Sequence, residues 1–156
     1  MSGASDQRTI ESLGAYVKLV RATHAVQARL EPRLAFAGLT PIQFAVMEAI
    51  LHRGPLTHGD LIAKIPTSGG NMTDVIDKLA RRGLVERVRA PEHRRIRLVQ
   101  LTEAGKNLVT RLFPAHAFDI AQAMTVLSKT ELAHLATLLR KLGRAAAAPA
   151  EPEQAA

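Results

Sequence analysis

Between Lys78 and Arg97 the chain concentrates its cations: Lys78, Arg81, Arg82, Arg87, Arg89, Arg94, Arg95 and Arg97 stand against only Glu86 and Glu92. That stretch carries +6 of a formal net charge of +7. Guanidinium and ammonium groups grouped this tightly suit a polyanion, with nucleic acid first. Just upstream lies Ser68-Gly69-Gly70-Asn71-Met72-Thr73. Its hydroxyls and amide have the length to bond base edges or phosphates. Its two glycines leave no side chain to hold a phosphate off the backbone at a helix start. Other chemistry lacks its residues. The chain has no cysteine, which excludes a disulfide scaffold, a thiolate metal site and a thiol sensor. His24, His52, His58, His93, His116 and His134 form no metal-binding spacing, and neither a P-loop nor a Gly-x-Ser-x-Gly elbow is present. The expectation is no catalytic residue, no metal and no cofactor. Only Tyr16, Phe36, Phe44, Phe113 and Phe118 are aromatic. None lies in the basic stretch, which argues against base stacking on single strands.

The elements that must position these residues follow from apolar spacing. Ile10, Leu13, Val17 and Val20, with Tyr16, Leu19, Val26 and Leu30, give two stripes on a first long helix and so burial on more than one side. Pro32 predicts a break or kink, with a short second helix over 31–37 ending at Gly38. Thr40, Pro41 and Gln43 form a capping box with proline at the first helical position, and Leu39 can staple onto Phe44. Thr57 opens the next helix, with Asp60 as its weaker capping partner. Pro66 stops that helix and Ser68 caps another, with Met72, Val75, Ile76 and Leu79 on its apolar side. Two short helices around a tight Pro66-Thr67 connection have the layout of a helix-turn-helix.

The period then drops to two. Leu84, Val85 and Val88 alternate with Glu86, Arg87 and Arg89. Ile96, Leu98 and Leu101 alternate with Arg97, Val99 and Gln100. With Pro91 at the tip, this predicts a basic two-stranded hairpin. Thr102 caps a helix with an expected kink at Pro114, and Ser128 with Glu131 opens the last helix. From Ala146 onward the composition predicts a disordered tail over 146–156. No apolar run approaches a membrane span and no secretory signal is visible, so a cytoplasmic location is expected.

A helix-turn-helix followed by a basic hairpin has a physical logic on duplex DNA. A helix enters the major groove, where each base pair shows a distinct edge, and its N-terminal residues reach deepest. The expected contacts on this helix are Thr67, Ser68, Gly69, Gly70, Asn71, Thr73 and Lys78. Capping and contact can coexist at Ser68 and Asn71. Asp74 would repel phosphate unless it points aside. On the hairpin, Arg94 or Arg95 could enter a narrow minor groove, while Arg87, Arg89 and Arg97 lie along phosphates.

Residues 39–105 resemble the winged-helix core of the MarR family of transcription regulators. The resemblance is carried by Leu39-Thr40-Pro41-Ile42-Gln43-Phe44, Gly54-Pro55-Leu56-Thr57, Ser68-Gly69-Gly70-Asn71-Met72-Thr73, Val75-Ile76-Asp77-Lys78-Leu79, Arg82-Gly83-Leu84-Val85, Pro91-Glu92-His93-Arg94-Arg95 and Leu101-Thr102-Glu103-Ala104-Gly105, in that order and spacing. It implies a mainly α fold with a small β-hairpin wing, its winged helix-turn-helix core flanked by N- and C-terminal dimerisation helices. The expected divisions are 7–37, 38–105 and 106–145. It implies a homodimer, usually a repressor, on a pseudo-palindromic site in duplex DNA. The dimer interface is expected at Leu13 and Val17 and along the seam Leu132, Leu135, Leu139 and Leu142.

Arg95 matches the family's wing arginine. An aspartate usually stands two residues before it; here His93 does. Either Glu92 braces the wing or His93 itself contacts phosphate, in which case protonating His93 would raise DNA affinity as pH falls. Many relatives release DNA when a small, often phenolic, ligand binds. Tyr16, Arg21, His24 and His52 are the candidate effector residues, with no ligand identity implied. Two other readings stay open: a winged helix used for protein contacts, and non-specific DNA binding.

Overall fold

The computed structural model describes residues 2–93 and 95–147, and the side chains from Asp6 onward within them. The chain divides into two compact units, one up to Ile120 and one from Ala121.

The first unit starts with a long helix, α1, Ser2–Phe36. Pro32 lies inside it, so the expected break is absent. The proline removes one backbone donor, but the last turn is held from outside. Leu34 is buried in the core and Arg33 pairs with Asp119. The true terminator is Gly38, at φ +69°. Its N–H donates to the Ala35 carbonyl at 2.9 Å, and the Leu39 N–H donates to Leu34 at 2.9 Å. This is the paired C-terminal turn that favours glycine. The two apolar stripes of α1 are covered only in part: Leu19, Val20, Val26 and Leu30 are half-buried, while Ile10, Leu13, Tyr16 and Val17 are exposed.

Helix α2, Pro41–Arg53, begins at the expected capping box, with both Thr40–Gln43 bonds formed. Leu39 and Phe44 are both buried. A short strand, β1 (Leu56–Thr57), follows, then α3 (His58–Lys64) and α4 (Gly69–Arg81). The Thr57–Asp60 cap is a complete box rather than a weak one. The Asp60 N–H donates to Thr57 Oγ1 at 3.1 Å, and the Thr57 N–H donates to Asp60 Oδ2 at 3.0 Å. The Thr57 hydroxyl, donating to Asp60 Oδ2 at 2.7 Å, and then the Thr57 N–H hold the Asp60 carboxyl below the usual carboxylate range. Gly83, at φ +68°, closes α4 with the same paired turn as Gly38. Strands β2 (Val85–Arg89) and β3 (Arg97–Leu101) make the hairpin.

The sheet has three antiparallel strands in the order β1-β3-β2. The spacing did not predict β1, a two-residue strand held only by pairing Leu56 with Val99 and Thr57 with Leu98. The inward phase of β3 is also corrected. Val99 is the buried residue, Leu98 is half-buried and Ile96 is exposed. The register explains this: Val85 pairs with Leu101 and Arg87 with Val99, so Val99 shares the face on which Val85 is buried.

Helix α5, Glu103–Ala123, passes through Pro114 without interruption. Its entry is set by contact. Thr102 Oγ1 accepts from the Gly105 N–H at 3.0 Å and donates to the Gly83 carbonyl at 2.6 Å. A Cβ on Gly105 would lie 1.9 Å from the Leu84 carbonyl oxygen, so only glycine fits. The core gathers Leu34, Phe44, Met47, Leu61, Met72, Ile76, Leu79 and Val109, each at most 1% exposed. Each such burial contributes roughly 1.5–3 kcal/mol before entropy. This core fixes the angle between α3 and α4 and seats the wing beside them.

The second unit holds α6, Lys129–Ala147, opened by the expected Ser128–Glu131 box at 2.8 and 3.3 Å. None of its residues is buried, and Leu132, Leu138, Leu139 and Leu142 are exposed. Ala146 and Ala147 are helical, not part of a disordered tail; the remainder of the expected tail, 148–156, lies outside the described residues.

Candidate nucleic-acid interface

Helix α4 buries Met72, Val75, Ile76 and Leu79. At 3.6 residues per turn its outer face is therefore centred on Gly70, Asp74, Asp77 and Arg81, with Asn71, Thr73 and Lys78 on its flanks. The sequence-predicted contacts on this helix all lie at its start or on this face, and each polar one has a local partner. Ser68 Oγ accepts from the Asn71 N–H at 3.2 Å, and the Asn71 amide donates to Thr67 Oγ1. Thr73 Oγ1 donates to the Gly69 carbonyl at 3.2 Å and lies 3.0 Å from His58 Nε2. Lys78 Nζ sits 2.7 Å from Asp74. Asp74 thus does not point aside; it is neutralised one turn along the helix.

The wing shares one face among Val85, Arg87, Arg89 and their partners Leu101, Val99 and Arg97. That face is apolar where it meets the core. It turns cationic where the hairpin projects beyond it. Arg87 is drawn back to α4, its Nη2 2.6 Å from Asp77 Oδ1. Arg89 and Arg97 are Cα partners and exposed, with no ion-pair partner among the described residues. The tip is closed by backbone bonds: Ala90 N–H to Ile96 carbonyl at 3.0 Å, Ile96 N–H to His93 carbonyl at 2.8 Å, and His93 N–H to Ala90 carbonyl at 3.3 Å. His93 and Arg95 are exposed there. Of the two alternatives for the wing, a Glu92–Arg95 ion pair is not formed among the described residues, and the tip is closed by its backbone. Arg94 lies outside the described residues.

Spacing did not reveal several of the supporting residues. His58 touches Thr73 from α3. Arg82 donates to the carbonyls of Gly38 and, at 3.4 Å, Ala37, tying the end of α4 to the turn after α1. Arg33 pairs with Asp119, which holds that carboxyl below the usual range. His116 is buried with its ring centroid 4.5 Å from Phe44. The Lys78–Asp74 pair alone carried a visible signal, the four-residue spacing of a helical ion pair.

The candidate effector residues are not gathered into one site. Tyr16, Arg21 and His24 are exposed along α1, while His52 packs edge-on against Phe113 with centroids 4.9 Å apart. A recess lined by Arg8, Thr9, Ser12, Leu13 and Tyr16 takes in Tyr16 without the other three. No single helix among the described residues is long and apolar enough to cross a membrane.

Comparison with known proteins places this geometry. Residues 37–96 match the sequence model of the MarR family. The chain is 33% identical over 135 residues to the HTH-type transcriptional regulator MhqR of Bacillus subtilis, spanning 86% of this chain and 93% of that protein. It superposes with a TM-score of 0.72 and 29% identity on Bordetella bronchiseptica BpsR, whose DNA binding is regulated by 6-hydroxynicotinic acid, covering 80% of this chain and 89% of that one. With a mutant Escherichia coli MarR complexed with operator DNA the TM-score is 0.73 at 26% identity, covering 86% and 95%.

Proposed function

The chain belongs to the MarR family of winged helix-turn-helix transcriptional regulators, and on that premise we propose that it is a homodimeric repressor that clamps a pseudo-palindromic operator. The observation that carries this reading is the cationic wing beside α4, where Arg89 and Arg97 face each other with no counter-ion among the described residues. Thr67, Ser68, Gly69, Gly70, Asn71, Thr73 and Lys78 meet the major groove. Arg87, Arg89, Arg97, His93, Arg94 and Arg95 hold phosphates and reach the minor groove.

Most of these groups act in position rather than as free charges. The caps at Thr67 and Ser68 aim the start of α4, and backbone N–H groups there favour a phosphate. The Asp74–Lys78 and Asp77–Arg87 pairs keep the helix face near neutral, so affinity comes chiefly from the wing. Such binding weakens as salt rises. Pairing of two copies through the uncovered faces of α1 and α6, at Leu13, Val17, Leu132, Leu135, Leu139 and Leu142, would place two reading helices on successive turns of one duplex. Repression follows from occupancy of the operator. Its release by a small ligand is supported by the ligand-regulated relative alone. The relatives are regulators and not enzymes, and a cytoplasmic, non-catalytic role accords with that.

The test is enrichment of bound duplexes from a random pool at near-physiological salt. A palindrome with half-site centres about 10 bp apart is the expected result. Binding without an enriched motif would overturn sequence-specific regulation. Absence of binding would favour the protein-contact reading.

A further inference from the structure

Thr73 is exposed on α4, one turn after Gly70, where an added Cβ would meet nothing within 4 Å. A base edge can therefore come close to it. A threonine hydroxyl has one hydrogen and two lone pairs. In Thr73 the hydrogen is directed to the Gly69 carbonyl, 3.2 Å away. His58 Nε2 lies 3.0 Å from the same oxygen. The single hydroxyl hydrogen is thus taken up within this pair of contacts, whether it stays on Gly69 with the imidazole donating or turns to Nε2. His58 is itself placed by the complete Thr57–Asp60 box at the start of α3. The hydroxyl thus has no hydrogen left for the base acceptors of the major groove or for a phosphate. The methyl group and one lone pair are what Thr73 has left to offer, and of these only the methyl favours thymine.

The geometry points to Thr73 as a reader of thymine through its methyl group, with His58 as the positioning residue that holds the hydroxyl away from the groove. The inference rests on the operator-binding reading above and names one base preference within it. Threonine methyl against the thymine C5-methyl is an apolar major-groove contact that distinguishes thymine from every other base. His58 couples the two helices of the helix-turn-helix to this choice, since loss of its ring nitrogen would free the hydroxyl to rotate.

The experiment uses the full-length protein and the duplex enriched from the random pool. Each thymine of a half-site is replaced in turn by deoxyuridine, which deletes only the methyl. Binding is measured for the wild type, Thr73→Val, Thr73→Ser and His58→Leu. At one thymine per half-site the wild type should bind about fourfold more weakly, the burial of one methyl group. Thr73→Val keeps the methyl and should keep both affinity and that sensitivity. Thr73→Ser should bind but lose the sensitivity at that position. His58→Leu should relax the base preference at that position while leaving the others unchanged, which a merely structural role would not do. A Thr73→Val protein that fails to bind would show the hydroxyl making the contact and overturn the inference. So would a wild type indifferent to every deoxyuridine, or a Thr73→Ser protein with unaltered sensitivity. Failure to enrich any duplex would instead overturn the operator reading itself, and this inference with it.

Discussion

Arg89 and Arg97 stand directly opposite each other across the wing, Cα partners on the face that also carries Arg87. Like charges in that relation destabilise an isolated hairpin by roughly 0.2–1 kcal/mol. A phosphate between or beside them reverses the sign. Replacing either by threonine should therefore leave thermal stability equal or slightly higher while weakening DNA binding. The slope of log affinity against log salt should fall by about one for each phosphate no longer neutralised. A variant with the wild-type slope would remove these arginines from the interface.

Asp74 sits on the outer face of α4 and neutralises Lys78 at 2.7 Å. Asp74→Asn should free the ammonium for phosphate and remove a like-charge repulsion. Affinity should rise, and the salt slope should steepen by about one. A loss of affinity confined to operators with a particular cytosine would instead reveal Asp74 accepting from a base.

Gly105 has no room for a side chain, its Cβ position being 1.9 Å from the Leu84 carbonyl oxygen. The obstacle is backbone, which cannot rotate away. Gly105→Ala should cost about 3 kcal/mol or more, read by denaturant midpoint. A loss under about 1 kcal/mol would mean that α5 and the Leu84 backbone move apart freely.

His116 is buried against Phe44, and its Nδ1 has no hydrogen-bond partner among the described residues. Burial holds it below its ordinary 6.5; Glu48 and Asp119 oppose that shift and Arg33 adds to it. The folded state prefers the neutral ring, so the unfolded chain takes up the proton first as pH falls. The associated stability is fully present above about pH 6.5 and is lost on descent through the folded-state value. The melting temperature of the wild type should fall more steeply between about pH 7 and pH 5 than that of His116→Phe. Parallel curves would sink this account.

The seam of α6 and the stripe of α1 are uncovered in the chain, with Leu139 41% and Leu13 59% exposed. Leu139→Lys should yield monomers in sedimentation and lower operator affinity with the winged helix still folded by circular dichroism. A dimer of unchanged affinity would move the interface elsewhere.

Much of the fold is legible because its signals are short-range. The caps at Thr40, Thr57, Ser68 and Ser128 each close over three residues, so both partners stand within one stretch of chain. The hairpin shows in its period and the cation cluster in its composition. Thr67, Ser68 and Asn71 are likewise placed at the start of α4 by the cap they help to build.

What sequence alone determined is therefore the starts of α2, α3, α4 and α6, the basic wing and the family these motifs resemble. Tertiary structure decided the rest. Pro32 does not break α1, because Leu34 and the Arg33–Asp119 pair hold its last turn, the aspartate coming from 86 positions away. Val99, not Leu98, faces the core because its register with Arg87 and Leu56 sets the phase. Arg87 belongs to Asp77, Arg82 to the turn after α1, and Thr73 to His58. The candidate effector residues share a chemistry without sharing a site. Apart from the Arg87–Val99 pairing within the hairpin, the deciding partner lies outside the span of one turn or one hairpin pair. Only packing of the core fixes which distant groups meet, and local spacing carries no record of it.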